Sequence, residues 1–120
     1  MSEIRLIDAH AHLNSPQFSD DREAVLERAL AEGILPITIG ADLESSRQAV
    51  DLAERYSGKT FATVGLHPTD SQEEIDWAEF ENLAIKKPVV AVGECGLDFI
   101  VLRAIWPKKN RGRRSFSRNR

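Results

Sequence analysis

Two histidines spaced two residues apart, His10 and His12, lie near the end of the stretch I-R-L-I-D-A-H-A-H-L at 4–13. In extended chain, residues i and i+2 project to the same side. The two imidazoles therefore stand together, and one divalent metal can take a nitrogen from each. A strand end holds such a pair rigidly enough for the site to be preformed. By itself the pattern also describes two ordinary surface histidines. Three further groups come into question. Glu94 follows directly on V-V-A-V-G, where its carboxylate can ligate a metal, bridge two, act as a base, cap a helix or form an ion pair. His67, ahead of Pro68, either meets a substrate or closes a turn. Asp98 either holds substrate or its own loop, or forms a turn before an apolar pair. Asp8 either orients a ligand histidine or ends the strand.

Elements must bring these groups together. Ile4, Leu6 and Ile7 read as a short buried strand. Asp20, with Glu23 three residues on, is placed to cap a helix whose apolar stripe is Val25, Leu26, Ala29 and Leu30 and which ends at Gly33. Ile34 to Ile39 reads as a second buried strand, with Pro36 as a blemish because proline gives no ladder donor. Asp42 caps the next helix, with its stripe at Ala49, Leu52, Ala53 and Tyr56. Thr60 to Gly65 is the third strand. Ser71 and Glu74 are spaced as a capping box for a third helix carrying Trp77, Phe80, Leu83 and Ala84, which Pro88 ends. Val89 to Gly93 is the fourth strand.

Strands thus begin near residues 4, 34, 60 and 88 and alternate with helices, which implies parallel strands joined by right-handed crossovers. Strands without polar alternation are expected to be buried on both faces. His10 and His12 follow strand one, His67 strand three and Glu94 strand four. All fall just past a carboxyl end, on the one rim where α/β folds place active sites. Convergence of three loops on that rim turns a weak pair into a candidate metal site.

The chain has 120 residues, enough for one domain or a piece of a larger one. No apolar run is long enough to cross a bilayer. The N-terminus lacks a basic-then-apolar signal segment, and the single Cys95 fits a reducing cytoplasm. The formal charge of −3 conceals a split. Residues 1–102 hold all 19 acids and eight of the 16 bases, whereas 103–120 hold the other eight bases and no acid. Asymmetry of that kind often marks a nucleic-acid-binding tail.

D-A-H-A-H at 8–12, V-G-L-H-P at 64–68 and V-V-A-V-G-E-C-G-L-D-F at 89–99 resemble the TatD-type metal-dependent DNases, in matching order and spacing over residues 4–99. The last of these stretches is the most specific, since H-x-H is shared with much of the amidohydrolase superfamily. The resemblance implies a (β/α)8 TIM-barrel fold and hydrolysis of nucleic-acid phosphodiester bonds, often as a 3'-5' exonuclease on single-stranded DNA. It implies that His10 and His12 bind one metal and that Glu94, the candidate catalytic carboxylate, binds or bridges two; His67 and Asp98 stand as the candidates for meeting the substrate. The ions would be Mg²⁺ or Mn²⁺, with Zn²⁺ also suited to imidazole and carboxylate.

A full barrel needs about 250 residues, and this chain supplies four strands of the eight. The expected architecture is therefore the first half of an α/β barrel, about four βα units, over 1–99. Residues 100–120 read as a non-homologous basic tail, such as a shift of reading frame would create, with a nucleic-acid-binding arm as the rival reading. Two other functions stand beside the nuclease. One is an amidohydrolase or phosphoesterase acting on small molecules through the same rim. The other is an inactive fragment that binds nucleic acid nonspecifically through its tail. Open strand edges would favour self-association, and no membrane partner is expected.

Overall fold

The computed structural model describes residues 3–70 and 74–98. The chain runs β1 (Leu6–Ala11), a 3-10 turn (Pro16–Phe18), α1 (Arg22–Ala31), β2 (Ile34–Thr38), α2 (Leu43–Arg55), β3 (Phe61–Val64), α3 (Trp77–Ala84) and β4 (Val89–Val92). The strands form one sheet in the order β1-β2-β3-β4, and every neighbouring pair is parallel. A sheet that grows one strand at a time through helical crossovers is the first half of a (β/α)8-type barrel. Three βα units are complete. The basic tail read at 100–120 lies outside the described residues.

Helices and sheet meet over two apolar clusters. Ala49, Val50 and Ala53 of α2, Ala62 and Val64 of β3, and Phe80 and Leu83 of α3 make the larger. Leu13, Leu26, Leu30 and Leu52 make the other, between α1 and α2. The helical stripes read from the sequence supply the helical members of both clusters except Val50, while Trp77, read as part of a stripe, is 61% exposed. Burial of the strands divides them. The middle strands β2 and β3 are largely covered, as expected. The outer strands are not: Leu6 is 64% and Ile7 62% exposed on β1, and Val92 is 73% exposed on β4. A strand at the end of the sheet has a neighbour on one side only, and the other half of a barrel is what would cover its open side. The expectation of a buried first strand is corrected on that ground.

Helix starts differ from the sequence reading in two places. The N-cap of α1 is Asp21, not Asp20, and its side chain makes no capping bond. Arg22 anchors this end instead, its guanidinium donating to the carbonyls of Leu13, Asn14 and Ser15 in the loop after β1. The N-cap of α3 is Asp76, which accepts from the Glu79 N–H at 3.1 Å. Of the expected Ser71–Glu74 box, Ser71 lies outside the described residues and Glu74 precedes the helix. For α2 the cap is Asp42 as read, completed by Ser45 in a reciprocal capping box. Pro36 sits inside β2 without breaking it. The buried Thr60 hydroxyl donates to its carbonyl at 2.8 Å, and pairing with β3 is in register from Ile37 onward.

At the carboxyl ends of β2, β3 and β4, backbone packs directly on backbone. The Gly93 N–H donates to the Val64 carbonyl at 2.9 Å, and the Glu94 N–H then reaches past β3 to the Gly40 carbonyl at 2.6 Å. Thr63 ties the same three strands, its hydroxyl donating to Gly93 O at 2.7 Å and accepting from the Gly40 N–H at 3.3 Å. The buried Ser46 hydroxyl of α2 accepts from the Gly65 N–H at 3.2 Å. This layer closes only because Gly65 has no side chain: a Cβ there would stand 2.6 Å from the Glu94 nitrogen. At Gly40 a Cβ would stand 2.9 Å from the Thr63 carbonyl oxygen.

Two outcomes follow for the purified chain. Leu52→Ala, at a site 1% exposed, is expected to lower unfolding stability by about 2–4 kcal/mol in urea titrations, against less than about 0.5 kcal/mol for Leu6→Ala. Equal losses would mean that β1 is covered in solution. Gly65→Ala is expected to displace the amide resonances of Gly40, Gly93 and Glu94 together. Gly58→Ala strains a left-handed backbone position (φ +78°) but adds a Cβ that meets nothing within 4 Å, so it should leave those three unmoved; if Gly65→Ala also leaves them unmoved, Gly65 does not make the close approach.

Candidate metal site

His10 is the penultimate residue of β1 and His12 is the first residue beyond it. Their ring centroids are 4.9 Å apart and the rings meet edge to face at 73°. The i, i+2 spacing does put both imidazoles on one side, as the alternation of an extended chain requires. The pairing of β1 with β2 slips between Asp8 and Ala11, so the histidines stand where the strand is locally irregular. Asp8 acts on the backbone here: its Oδ1 accepts from the His10 N–H at 3.1 Å.

The loop that carries the chain away from His12 is held from below. Asn14 is buried, and its amide nitrogen donates to the Ile39 carbonyl at 3.0 Å and the Ser45 carbonyl at 2.8 Å. One side chain therefore joins the β1 loop to the end of β2 and the start of α2. Sequence reasoning passed over Asn14 as a loop residue. It also passed over Thr63, a hydroxyl between the apolar Ala62 and Val64, and Ser46, one turn before Ala49 and Val50 on the buried face of α2.

Glu94 arrives from the far side of the sheet through the backbone layer described above. Its Oε2 lies 3.6 Å from His10 Nε2, and its Oε1 lies 3.6 Å from His67 Nε2. His67 is placed by its own N–H, which donates to the Ala41 carbonyl at 2.6 Å. One ligand atom each from His10, His12 and Glu94 lies within 4.8 Å of the other two. Two donors about 2.1 Å from a shared ion are at most about 4.2 Å apart, so small rotamer shifts bring this set onto one ion. Two imidazole nitrogens and a carboxylate oxygen are the donors that Mn²⁺, Fe²⁺ or Zn²⁺ accept, and the partial exposure of all three leaves room for water.

Asp98 is not among these groups. It lines a separate apolar cavity of about 530 Å³ with Leu66, Ile75, Trp77, Phe80 and Leu97, between α3 and the end of β4. Of the residues singled out in the sequence, the structure brings together His10, His12, His67 and Glu94, and sets Asp98 apart from them.

Comparison with known proteins gives this geometry a family. The family model described as TatD related DNase matches residues 7–118. The "3'-5' ssDNA/RNA exonuclease TatD" of Musicola paradisiaca is 41% identical over 97 residues, covering 78% of this chain and 37% of that protein. The "uncharacterized metal-dependent hydrolase YabD" of Bacillus subtilis is 40% identical over 97 residues, covering 78% of this chain and 38% of that protein. The crystal structure of YjjV, a TatD homologue from Escherichia coli K12, superposes with a TM-score of 0.68 at 37% identity, over 80% of this chain and 39% of that one. The chain thus spans less than two fifths of the length of these relatives. The family match runs on into the basic segment that the sequence reading set apart after residue 99, whereas the relatives align over about four fifths of the chain. Strand order, the histidine pair at the end of β1, the glutamate after β4 and a family match over most of the chain agree, and the chain belongs to the TatD related DNase family.

Proposed function

We propose that this chain carries one half of a metal-dependent nuclease centre that hydrolyses phosphodiester bonds in single-stranded DNA or other nucleic acid, in the 3'-5' sense of the exonucleases it resembles. The observation that carries this reading is the meeting of His10, His12 and Glu94 on one rim of a parallel sheet, with their ligand atoms within 4.8 Å of one another. His10 and His12 are the imidazole ligands, and Glu94 is the ligand and catalytic carboxylate. A divalent ion there, Mg²⁺ or Mn²⁺ with Zn²⁺ as the third candidate, supplies charge stabilisation at the phosphoryl oxygens and lowers the pKa of water. His67 faces Glu94 from the side opposite His10, and in this reading its ring meets the substrate there. Asp98, which lines the cavity beside α3, is the second residue that this reading assigns to the substrate.

A second ion is part of the reading, with Glu94 as the bridge, and its remaining ligands would come from outside residues 1–99. The domain boundary at 99 rests on the relatives' coverage of 78–80% of the chain, and the family match to residue 118 weighs the other way. Leu6, Ile7, Val90 and Val92 are exposed on the two outer strands, which supports self-association. The exposed free Cys95 suits a reducing cytoplasm, and no helix among the described residues is long and apolar enough to cross a membrane.

Manganese binding isolates the first claim. Titration of the purified chain by calorimetry is expected to show one weak site that His10→Ala or Glu94→Ala abolishes, while Cys95→Ala leaves it intact. Binding that survives both substitutions would place the ion elsewhere. Activity tests the second. On single-stranded DNA with Mn²⁺ the chain is expected to be a poor nuclease and to sediment as more than a monomer. Robust cleavage abolished by Glu94→Ala would show that this half suffices. Turnover of small amides or phosphomonoesters in place of DNA would move the assignment to the small-molecule hydrolases.

A further inference from the structure

His67 has two ring nitrogens with different surroundings. Nε2 faces Glu94 Oε1 at 3.6 Å. Nδ1 faces back into its own turn, where the Thr69 backbone N–H points at it from 3.2 Å and the Thr69 hydroxyl lies 2.7 Å away. A backbone N–H can only donate. The nitrogen it points at must therefore present a lone pair, and in a neutral imidazole the proton then sits on the other nitrogen. The hydroxyl has a second place for its proton, Asp70 Oδ2 at 3.2 Å. If it donated there, its oxygen and the Nδ1 lone pair would face each other at 2.7 Å. Donation to Nδ1 removes that repulsion, so both polar groups of Thr69 act in the same sense.

We infer that Thr69 is a positioning residue which sets His67 in the Nε2–H tautomer. His67 thereby points its one N–H toward Glu94 Oε1, 3.6 Å away, and offers no lone pair on that side to a metal. The effect reaches the metal site through the carboxylate. With Oε1 turned to the His67 N–H, Oε2 is left on the side of His10, 3.6 Å from its Nε2. An Nδ1–H tautomer would instead put a bare nitrogen against Oε1, two acceptors with nothing between them, and Glu94 would turn away. Which nitrogen of a histidine carries the proton is set by what the other nitrogen meets, and here Thr69 meets it with two donors. Only the consequence for Glu94 rests on the metal reading proposed above; the tautomer itself does not.

The test reads the tautomer on the metal-free chain. Ring-¹⁵N-labelled histidine is introduced, and long-range ¹H–¹⁵N correlations are recorded at a pH where the rings are neutral, with His67→Gln identifying the resonances. His67 is expected to show a pyrrole-like Nε2 and a pyridine-like Nδ1. Thr69→Ser should keep this pattern. Thr69→Val, which retains the backbone N–H, should keep most of it. Thr69→Pro, which removes both donors, should give averaged tautomers and weaken Mn²⁺ binding several-fold. An Nδ1–H tautomer in the unaltered chain overturns the proposal even if manganese binds as expected. So does an unchanged tautomer in a folded Thr69→Pro chain. Should that variant fail to fold, Thr69→Val decides: a partial shift toward averaging supports the positioning role of Thr69, and an unchanged Nε2–H pattern refutes it. Direct coupling of His67 to bound ¹¹³Cd would also refute it. Absence of metal binding with the Nε2–H tautomer present would instead count against the metal reading alone.

Discussion

The backbone of Glu94 lies against the backbone of Gly65, and the site depends on that approach. Strand β4 is two places away from β2 in the sheet, yet the Glu94 N–H bonds to the Gly40 carbonyl at 2.6 Å. The chain can cross β3 only where β3 ends in a residue without a side chain. Buried hydroxyls of Thr63 and Ser46 then satisfy the backbone groups that this crossing takes out of the regular ladder. Unpaired, each of those groups would cost roughly 1–3 kcal/mol. The polar layer is therefore what makes a close-packed rim affordable in a dry place, and it delivers the glutamate to the histidines.

The same sheet shows what a half barrel lacks. Its inner strands are covered and its outer strands carry exposed leucine, isoleucine and valine. A closed barrel has no edge strands, because the first strand pairs with the last. Four strands cannot curve enough to do this, and among the described residues no strand lies beyond β1 or β4 to cover their apolar side chains. Among the described residues, two imidazoles and one carboxylate come within reach of a single ion.

Much of the fold was legible in the sequence because its periods were clean. Alternating strand and helix segments at regular spacing left one topology, and the parallel order β1-β2-β3-β4 follows it. Helical stripes at Leu26, Leu30, Ala49, Leu52 and Ala53 were readable for the same reason, since a buried face repeats at the helical period. Helix starts were less so. Asp20 and Ser71 have the right type for caps, but type does not say which of several polar residues in a loop takes the cap geometry, and Asp21 and Asp76 take it. Trp77 falls at a stripe position and is nevertheless exposed, because nothing among the described residues packs over that end of α3.

For the site, residue types and spacing alone determined that His10 and His12 share a side and that Glu94 and His67 emerge on their rim, since alternation along a strand and the direction of parallel strands are local rules. Tertiary structure decided how near they come. The distances of 3.6 Å from Glu94 to His10 and to His67 depend on Gly65, Thr63 and Gly40, which lie far apart in sequence from Glu94. Tertiary structure also put Asp98, four residues after Glu94, on the wall of the apolar cavity beside α3. Burial of β1 was decided there as well: Leu6 and Ile7 are apolar enough for a core, and whether they are in one depends on what lies across the sheet from them.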